Sequence, residues 1–364
     1  MDARSSVLRR LTDRVIEASN LKTALDIRGG HTKVFYGGTP RGDALEMGEL
    51  NGISSYEPTE LVVTALAGTP LSELEAVLAE RDQCLPFEPP RFGATGTVGG
   101  MIAAGLAGPA RASVGPLRDF VLGVSLLNGI GETLTFGGQV MKNVAGYDVS
   151  RLIAGSMGIL GVICEVSLKV MPVFAARITL CFESDETFAL KRLNRWAGEP
   201  FPLSASSWHQ GRLFVRFAGA QAAVSSVRQR FGGTEVDPQI AGAWWTDIRD
   251  HRHEFFKFSD NELERGECLW RLSVRDTSAP ISLPGTQFIE WGGAQRWLRS
   301  TASAAQIRSA ASGAGGHATL VRAANKSPGV FTSLAPPLMA IHKRLKRSFD
   351  PAGIFNPGRL YAEL

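Results

Sequence analysis

Apolar residues recur at helical spacing at both ends of the chain and at alternating spacing through much of its middle. In "MDARSSVLRRLTDRVIEASN", Leu8, Leu11, Val15 and Ile16 mark one face of an amphipathic helix, and Asp13 and Glu17 interrupt any run suited to a signal or transit peptide. "ALDIRGGHTK" predicts a short strand running into a glycine turn. "ELVVTALAGTPLSELEAVLAERD" predicts a strand, an N-cap at Thr69 with Pro70 in the first helical position, and a helix lined by Leu71, Leu74 and Leu78. Beyond Phe120 the strand period takes over. "FVLGVSLL" and "ETLTFGG" flank the turn "NGIG", a hairpin signalled by Asn128-Gly129. "GVICEVSLKVMP" alternates with Val162, Cys164, Val166 and Leu168 on one face, and Pro172 stops it.

Residues 173–310 are tryptophan-rich, with strands such as "RITLCFES", "GRLFVRFAG" and "CLWRLSVR" between long polar helices. They predict an antiparallel sheet with helices, a cap over the first unit. "SGAGGHATLVRA" and a last helix bearing Leu338, Ile341, Leu345 and Phe349 at helical spacing are expected to return to the first core. The pattern therefore predicts an α+β chain divided as 1–172, 173–310 and a returning segment 311–364.

Composition narrows the classes. At 364 residues, 44% apolar and 20% charged, the chain has ordinary globular make-up and the length of two domains. Lys and Arg number 39 against 35 acidic residues, a net +4 spread along the chain, which speaks against a nucleic-acid footprint. The one dense basic cluster, "HKRLKR" at 342–347, reads as the solvated face of the last helix or as a docking face for a partner or an anionic membrane. Cys84, Cys164, Cys181 and Cys268 lie far apart without a C-x-x-C, which argues against zinc, an iron–sulfur cluster held by this chain or a disulfide scaffold. Cys164 reads as a small buried hydrophobe. No stretch approaches the ~20 apolar residues of a membrane span, so a cytoplasmic protein, at most peripheral through a partner, is expected.

Glycine-rich segments carry the candidate chemistry. In "GATGTVGGMIAAG", Gly93, Gly96 and Gly99 imitate a dinucleotide fingerprint. The run-up "CLPFEPPRF" denies it the strand such a site needs, because Pro86, Pro89 and Pro90 lack ladder donors. Backbone amides and the following helix still suit an anion. "RGGHTK" adds two glycines, the Thr32 hydroxyl and the charges of Arg28 and Lys33, which suits a pyrophosphate. "KNVAGYDVSRLIAGS" predicts a hairpin exit and a short helix capped by Asp148, and "GSMGILGVI" predicts glycines entering a strand.

In this order, "RGGHTK", "GTVGG", "KNVAGYD", "GSMGILG" and "FNPGR" resemble the FAD-binding domain of the vanillyl-alcohol oxidase / p-cresol methylhydroxylase superfamily and, within it, the FAD-binding subunits of bacterial glycolate dehydrogenases. The resemblance runs from about Leu21 to Pro172 and resumes over Phe349–Leu360. It implies a PCMH-type fold of two α+β subdomains with an antiparallel-sheet cap, and FAD stretched between the subdomains. Arg28, Gly29, Gly30, His31, Thr32 and Lys33 would form the pyrophosphate loop. Thr97, Val98, Gly99 and Gly100 would hold its second side. Gly155, Ser156, Gly158, Ile159, Leu160, Gly161 and Val162 would run along ribityl and adenine, mostly through backbone, and Asn356 would approach the flavin ring, its pre-proline position favouring extended backbone. Met157 and Ile159 stand where many members carry an acidic residue and a threonine. Thr32 occupies the position from which some members attach flavin covalently through histidine, so the resemblance implies non-covalent FAD.

The resemblance also implies oxidation of a 2-hydroxy acid inside a complex, with a larger flavin subunit and an iron–sulfur subunit passing electrons toward quinone. Such chemistry needs a base for the hydroxyl proton and a cation for the carboxylate. No catalytic residue is assigned: Arg322 and His317 are only candidates, and each taken alone reads first as structural. Five positions apart on a strand, they face opposite sides unless a bulge intervenes. His251 and His253, two apart on a helix, diverge, which argues against a metal pair; Trp244, Ile248 and Phe255 read as core. The Gly-Glu-His-Gly stretch carried by larger flavin subunits and D-lactate enzymes is missing here. A subunit that works inside a complex is therefore expected over a self-sufficient dehydrogenase or a purely structural assembly subunit.

Overall fold

In the computed structural model, which describes residues 3–138 and 148–364, the N-terminal pattern forms α1 (Ala3–Leu21). Leu11, Val15 and Ala18 turn inward on one stripe. Ile16, expected on that face, lies one step round the helix and is 41% exposed. The chain continues through β1 (Leu25–Arg28), β2 (Asp43–Glu46), β3 (Ile53–Glu57), β4 (Val62–Leu66), α2 (Leu71–Ala79), β5 (Gln83–Cys84), α3 (Val98–Ala104) and α4 (Arg111–Val114). There follow β6 (Val121–Leu127), β7 (Thr133–Gly137), α5 (Val149–Ile153), β8 (Val162–Lys169) and β9 (Met171–Pro172). The next stretch holds β10 (Ala176–Glu183), α6 (Glu186–Ala197), β11 (Leu203–His209), β12 (Arg212–Gly219), α7 (Gln221–Phe231), β13 (Thr234–Glu235), α8 (Pro238–Arg249) and α9 (Asp260–Glu264). Last come β14 (Cys268–Ser273), β15 (Thr286–Glu290), β16 (Gln295–Ser300), α10 (Ala304–Gly313), β17 (His317–Arg322) and α11 (Pro336–Phe349).

Two antiparallel sheets organise these elements, one of five strands in the order β3-β4-β8-β6-β7 and one of eight in the order β13-β10-β12-β11-β15-β16-β14-β17. The parallel pair β1-β2 stands apart. The five-stranded sheet is covered on both faces. One side packs on α2, α3 and part of α11 through Leu71, Leu74, Leu78, Met101 and Ile102, and the other on α1 and β1 through Val15, Leu25 and Phe355. Between the two sheets lies an aromatic core that joins Tyr36, Ala104 and Met157 to Trp245, Phe255, Phe288 and Trp297.

Several local expectations are corrected. Pro70 is the N-cap of α2, and Thr69 Oγ1 instead accepts from Gly52 N and donates to Gly52 O. The β6-β7 hairpin forms, but through a wider connection in which Asn128 Oδ1 accepts from the amides of Ile130 and Glu132. In β8 the alternation does not hold along its length. Ser125 pairs with Glu165 and Leu126 with Ile163, so Cys164 bulges out, and Val162 and Cys164 face α1 while Val166 and Leu168 face α2 and α3. Cys164 is buried as expected, its thiol pushed up to about 12 by desolvation.

At the C-terminal end, β17 pairs with β14 as the edge of the eight-stranded sheet, so the boundary expected at 310 falls inside the cap and the return to the first core begins beyond Arg322. The apolar stripe of α11 is also rotated. Leu338 and Ile341 are 44% and 51% exposed, whereas Lys346, expected among the solvated bases, is buried.

Candidate functional site

A cleft of about 260 Å³ opens where β1 ends, lined by the loop Arg28–Lys33, the start of α3, the glycine segment before β8 and Asn356. Strand β1 delivers the loop there because its edges are held. Leu25 N donates to Ile354 O at 2.7 Å, Asn356 N donates to Leu25 O at 2.9 Å, and Met47 N donates to Arg28 O at 2.9 Å. The Asn356 carboxamide joins three segments: Oδ1 accepts from Ile27 N and Nδ2 donates to Met157 O, each at 2.7 Å. Its backbone is left-handed, at φ +42°, instead of extended as the following proline favours; Asn tolerates this region better than most residues.

The first two glycine segments interlock. A Cβ on Gly29 would sit 2.3 Å from Thr97 Oγ1, and one on Gly30 would sit 1.4 Å from the Thr95 carbonyl oxygen. Thr95 Oγ1 donates to Gly30 O at 2.6 Å. These two glycines are required by the close approach of one loop to the other.

The donors are less evenly distributed than the sequence implies. Val98 N donates to Thr69 O, Gly99 N to Ala67 O and Gly100 N to Thr97 Oγ1, so the start of α3 is used within the protein. Gly155 N, Met157 N and Ile159 N likewise donate to Ile102, Ala103 and Ser156 carbonyls. Among the described residues, the amides of Gly29, Gly30, His31 and Thr32 donate to no protein acceptor. The unused main-chain donors of the cleft are therefore concentrated in the first loop, joined by single amides at Thr97 and Gly161, which also find no protein acceptor among the described residues.

Of the sequence-predicted residues, Arg28, Gly29, Gly30, His31, Thr32, Lys33, Thr97, Gly99, Gly100, Gly158, Gly161 and Asn356 line the cleft. Val98, Gly155, Ser156, Ile159, Leu160 and Val162 do not. Val98, Ile159, Leu160 and Val162 point into the cores beneath it, because alternate positions of a helix start or strand entry must pack. Asp148 caps α5, its Oδ1 accepting from Arg151 N, but the rest of "KNVAGYD" lies outside the described residues. The sequence reading missed Asp26, Met47, Ala103, Met157 and Arg359, which also line the cleft. Arg359, Asp26, Ala103 and Met157 stood inside quoted segments without being assigned to the site, whereas Met47 lay in none of them.

The cleft is cationic at one end and apolar at the other. Lys33 is half-buried, with Nζ 3.4 Å from Thr32 Oγ1 and 5.7 Å from the Phe92 ring centre, and desolvation lowers its pKa to about 8 against a weaker opposing pull from Asp250. Arg28 Nε donates to Asp26 at 2.6 Å. The walls include Ala67, Ala103 and Ile163. Unused amides beside a poorly paired ammonium suit a phosphate-bearing ligand, and the apolar walls suit a flat ring. The residues present therefore fit a flavin dinucleotide.

Beside this cleft, a void of about 20 Å³, room for roughly one water, is lined by Phe35, Tyr36, Phe92, His251 and Arg271, among others. His251 Nδ1, Arg271 Nε and Gln295 Oε1 on its wall, and Arg322 Nε nearby, are buried without a hydrogen-bond partner. His251 and His253 lie past the end of α8, which corrects the helical reading. The His251 ring stacks on Phe256 at 4.2 Å, and burial, then the charges of Arg322 and Arg271, hold it neutral. Trp244, Ile248 and Phe255 are core. Glu290, bonded to Trp297 and Gln295, is raised to about 7 by desolvation.

Neither catalytic candidate lines the large cleft. Trp270 pairs with Leu320 but Leu269 with Arg322, leaving Val321 as a bulge. The bulge brings Arg322 to the face of the aromatic core, its guanidinium 4.0 Å from the Phe35 ring centre. His317 sits at the exposed end of the strand, its pKa lowered by partial desolvation and then by Arg271.

Residues 10–137 match the family model of an FAD binding domain, and residues 324–360 that of the C-terminal domain of FAD linked oxidases. Over 354 residues, 97% of each chain, the protein is 44% identical to glycolate oxidase subunit GlcE of Escherichia coli (strain K12). It is 31% identical to glycolate oxidase subunit GlcD of Bacillus subtilis (strain 168) over 148 residues, 40% of this chain and 31% of that one. Its fold is similar to that of alkyldihydroxyacetonephosphate synthase, with a TM-score of 0.64 at 16% identity, covering 95% of this chain and 74% of the other. Among the described residues no helix is long and apolar enough to cross a membrane.

Proposed function

This chain belongs to the family of glycolate oxidase subunit GlcE among the FAD-linked oxidases, and from that premise we propose that it is the FAD-binding subunit of a glycolate dehydrogenase complex that oxidises glycolate to glyoxylate. The observation that carries this reading is the set of unused amides Gly29–Thr32 beside Lys33, at the mouth of a cleft closed by Asn356. Those amides and Lys33 hold the pyrophosphate, and Asn356 with Met157 and Ala103 borders the ring end. FAD, bound without a covalent link, supplies the hydride acceptor. A larger flavin subunit and an iron–sulfur subunit complete the complex, which carries electrons toward quinone from the cytoplasmic side of the membrane. The FAD-binding unit takes in residues 1–172 and the chain beyond Arg322, with the eight-stranded sheet as cap.

A second reading has its own support. Arg271 and Arg322 form no ion pair among the described residues, and each keeps a buried Nε without a partner. A guanidinium in that state is suited to a substrate carboxylate, which favours a 2-hydroxy-acid dehydrogenase complete in this chain. This reading requires the one-water void beside these arginines to open for a substrate; His251, neutral and unpartnered at Nδ1, would then hydrogen-bond it and not store a proton.

Purification of the chain alone, with a flavin spectrum and a glycolate assay using an artificial acceptor, separates these readings. Colour without activity, restored by partner subunits, is the expected result. Activity of the isolated chain, lost about 100-fold in kcat/KM on Arg322→Met, a cost of about 2.7 kcal/mol in transition-state binding, establishes the second. A folded, colourless chain that takes up no FAD overturns both and leaves an assembly role.

A further inference from the structure

Five consecutive carbonyls, Val34 to Gly38, are held alternately by two cations from the far end of the chain. Lys326 Nζ donates to Phe35 O at 2.6 Å and to Gly37 O at 2.9 Å. Arg359 donates to Tyr36 O at 2.8 Å, to Gly38 O, and at the limit of reach, 3.5 Å, to Val34 O. The lattice is closed by Gly38 N, which donates back to Arg359 O at 2.8 Å. Among the described residues neither cation forms an ion pair with a carboxylate, and Arg359 is only 8% exposed. A buried charge without a counter-ion is costly unless dipoles satisfy it. Here the loop's own carbonyls are those dipoles, so the charges are stable only while the loop keeps this shape.

The clamped segment follows directly on the residues whose amides face the cleft. Gly29–Thr32 carry the unused donors, and Val34 is two positions beyond Thr32. A chain fixed at β1 on one side and at Val34–Gly38 on the other has little freedom left between. We propose that Lys326 and Arg359 are positioning residues for the cofactor. Acting through Val34–Gly38, they hold the Gly29–Thr32 amides toward the cleft, so that the C-terminal segment sets FAD affinity through this loop. The inference rests on the FAD reading above and goes beyond it in assigning a role to two residues, one of which, Lys326, lies outside the cleft.

The test is the dissociation constant of FAD for the full-length apo chain, read by quenching of flavin fluorescence. Lys326→Met and Arg359→Met are each expected to weaken FAD at least tenfold, about 1.4 kcal/mol, with far-UV circular dichroism unchanged. Arg359→Lys, which keeps the charge and three donors, is expected to recover most of that loss. Arg308→Met serves as control: it removes donors to Pro328 O and Gly329 O in the same C-terminal stretch without touching Val34–Gly38, and is expected to leave FAD affinity within twofold. If Met at either site prevents folding, Lys326→Gln, which keeps a donor, replaces it with an expected three- to fivefold loss. Folded clamp variants that bind FAD as tightly as the unaltered chain overturn the proposal. An unaltered chain that binds no FAD instead overturns the reading on which it rests.

Discussion

At the scale of the single residue, Lys33 is the group whose chemistry the fold changes most directly. Desolvation lowers its pKa to about 8 from an ordinary 10.5. Below pH 8 the folded apo chain bears the cost of a charged, half-buried ammonium; as pH rises from 8 to 10.5 the unfolded chain binds more protons than the folded one, so this group makes stability rise with pH. A pyrophosphate beside it reverses the shift by favouring the charged form. FAD binding at pH 9 is therefore expected to take up protons, measured as a dependence of the calorimetric binding enthalpy on buffer ionisation. Lys33→Met should remove that uptake, and the same uptake in the variant would place the phosphate elsewhere. Asn356 illustrates a different limit of single-residue reasoning. The motif "FNPGR" marked it, but its left-handed backbone and its bonds to Ile27 and Met157 depend on residues about 200 and 330 positions away.

At the scale of the element, α11 is held by a buried ion pair where its sequence promised an apolar stripe. Lys346 Nζ donates to Asp350 at 2.6 Å, to Ile159 O at 2.7 Å and to Phe355 O at 2.8 Å, while Asp350 accepts from the amides of Ile354 and Phe355. The helix is thereby locked both to the glycine segment before β8 and to the strand-like entry of "FNPGR". Removing one partner leaves a buried charge alone, so Lys346→Met is expected to cost about 3–5 kcal/mol. Urea unfolding measures it, and Lys346→Met with Asp350→Asn should cost less than the two single losses added. A loss below about 1 kcal/mol would mean the pair behaves as an ordinary surface contact. The helix periodicity was legible because apolar spacing of three and four is a local property. Which face turned inward was not, since Leu338 and Ile341 are left exposed by packing against a surface built from other parts of the chain.

At the scale of the whole molecule, the cleft is assembled from segments near 28–33, 95–100, 155–161 and 356–359, while Val34–Gly38 ties it to the cap through Tyr36 Oη, which accepts from Arg271 at 3.0 Å. Ligand binding there should act on all of them together. FAD is expected to slow amide hydrogen exchange at Gly29–Thr32, around Thr97 and around Asn356, and to leave β10 and β13 at the far edge of the cap sheet unchanged; protection confined to one segment would contradict a shared site. The sequence by itself determined the α+β class, the strand and helix periods, the hairpin of β6 and β7, and the glycine loops with their charged and hydroxyl companions, because each follows from local sterics and from the two periods of regular backbone. Tertiary structure alone decided which loop keeps its amides unused, the bulges that turn Cys164 and Arg322 to another face, the placement of β17 in the cap, and the pairing of Lys326 and Arg359 with carbonyls some 300 positions away. Those outcomes depend on which acceptors and side chains arrive from distant parts of the chain to compete for each donor and each buried surface, and no local pattern encodes that competition.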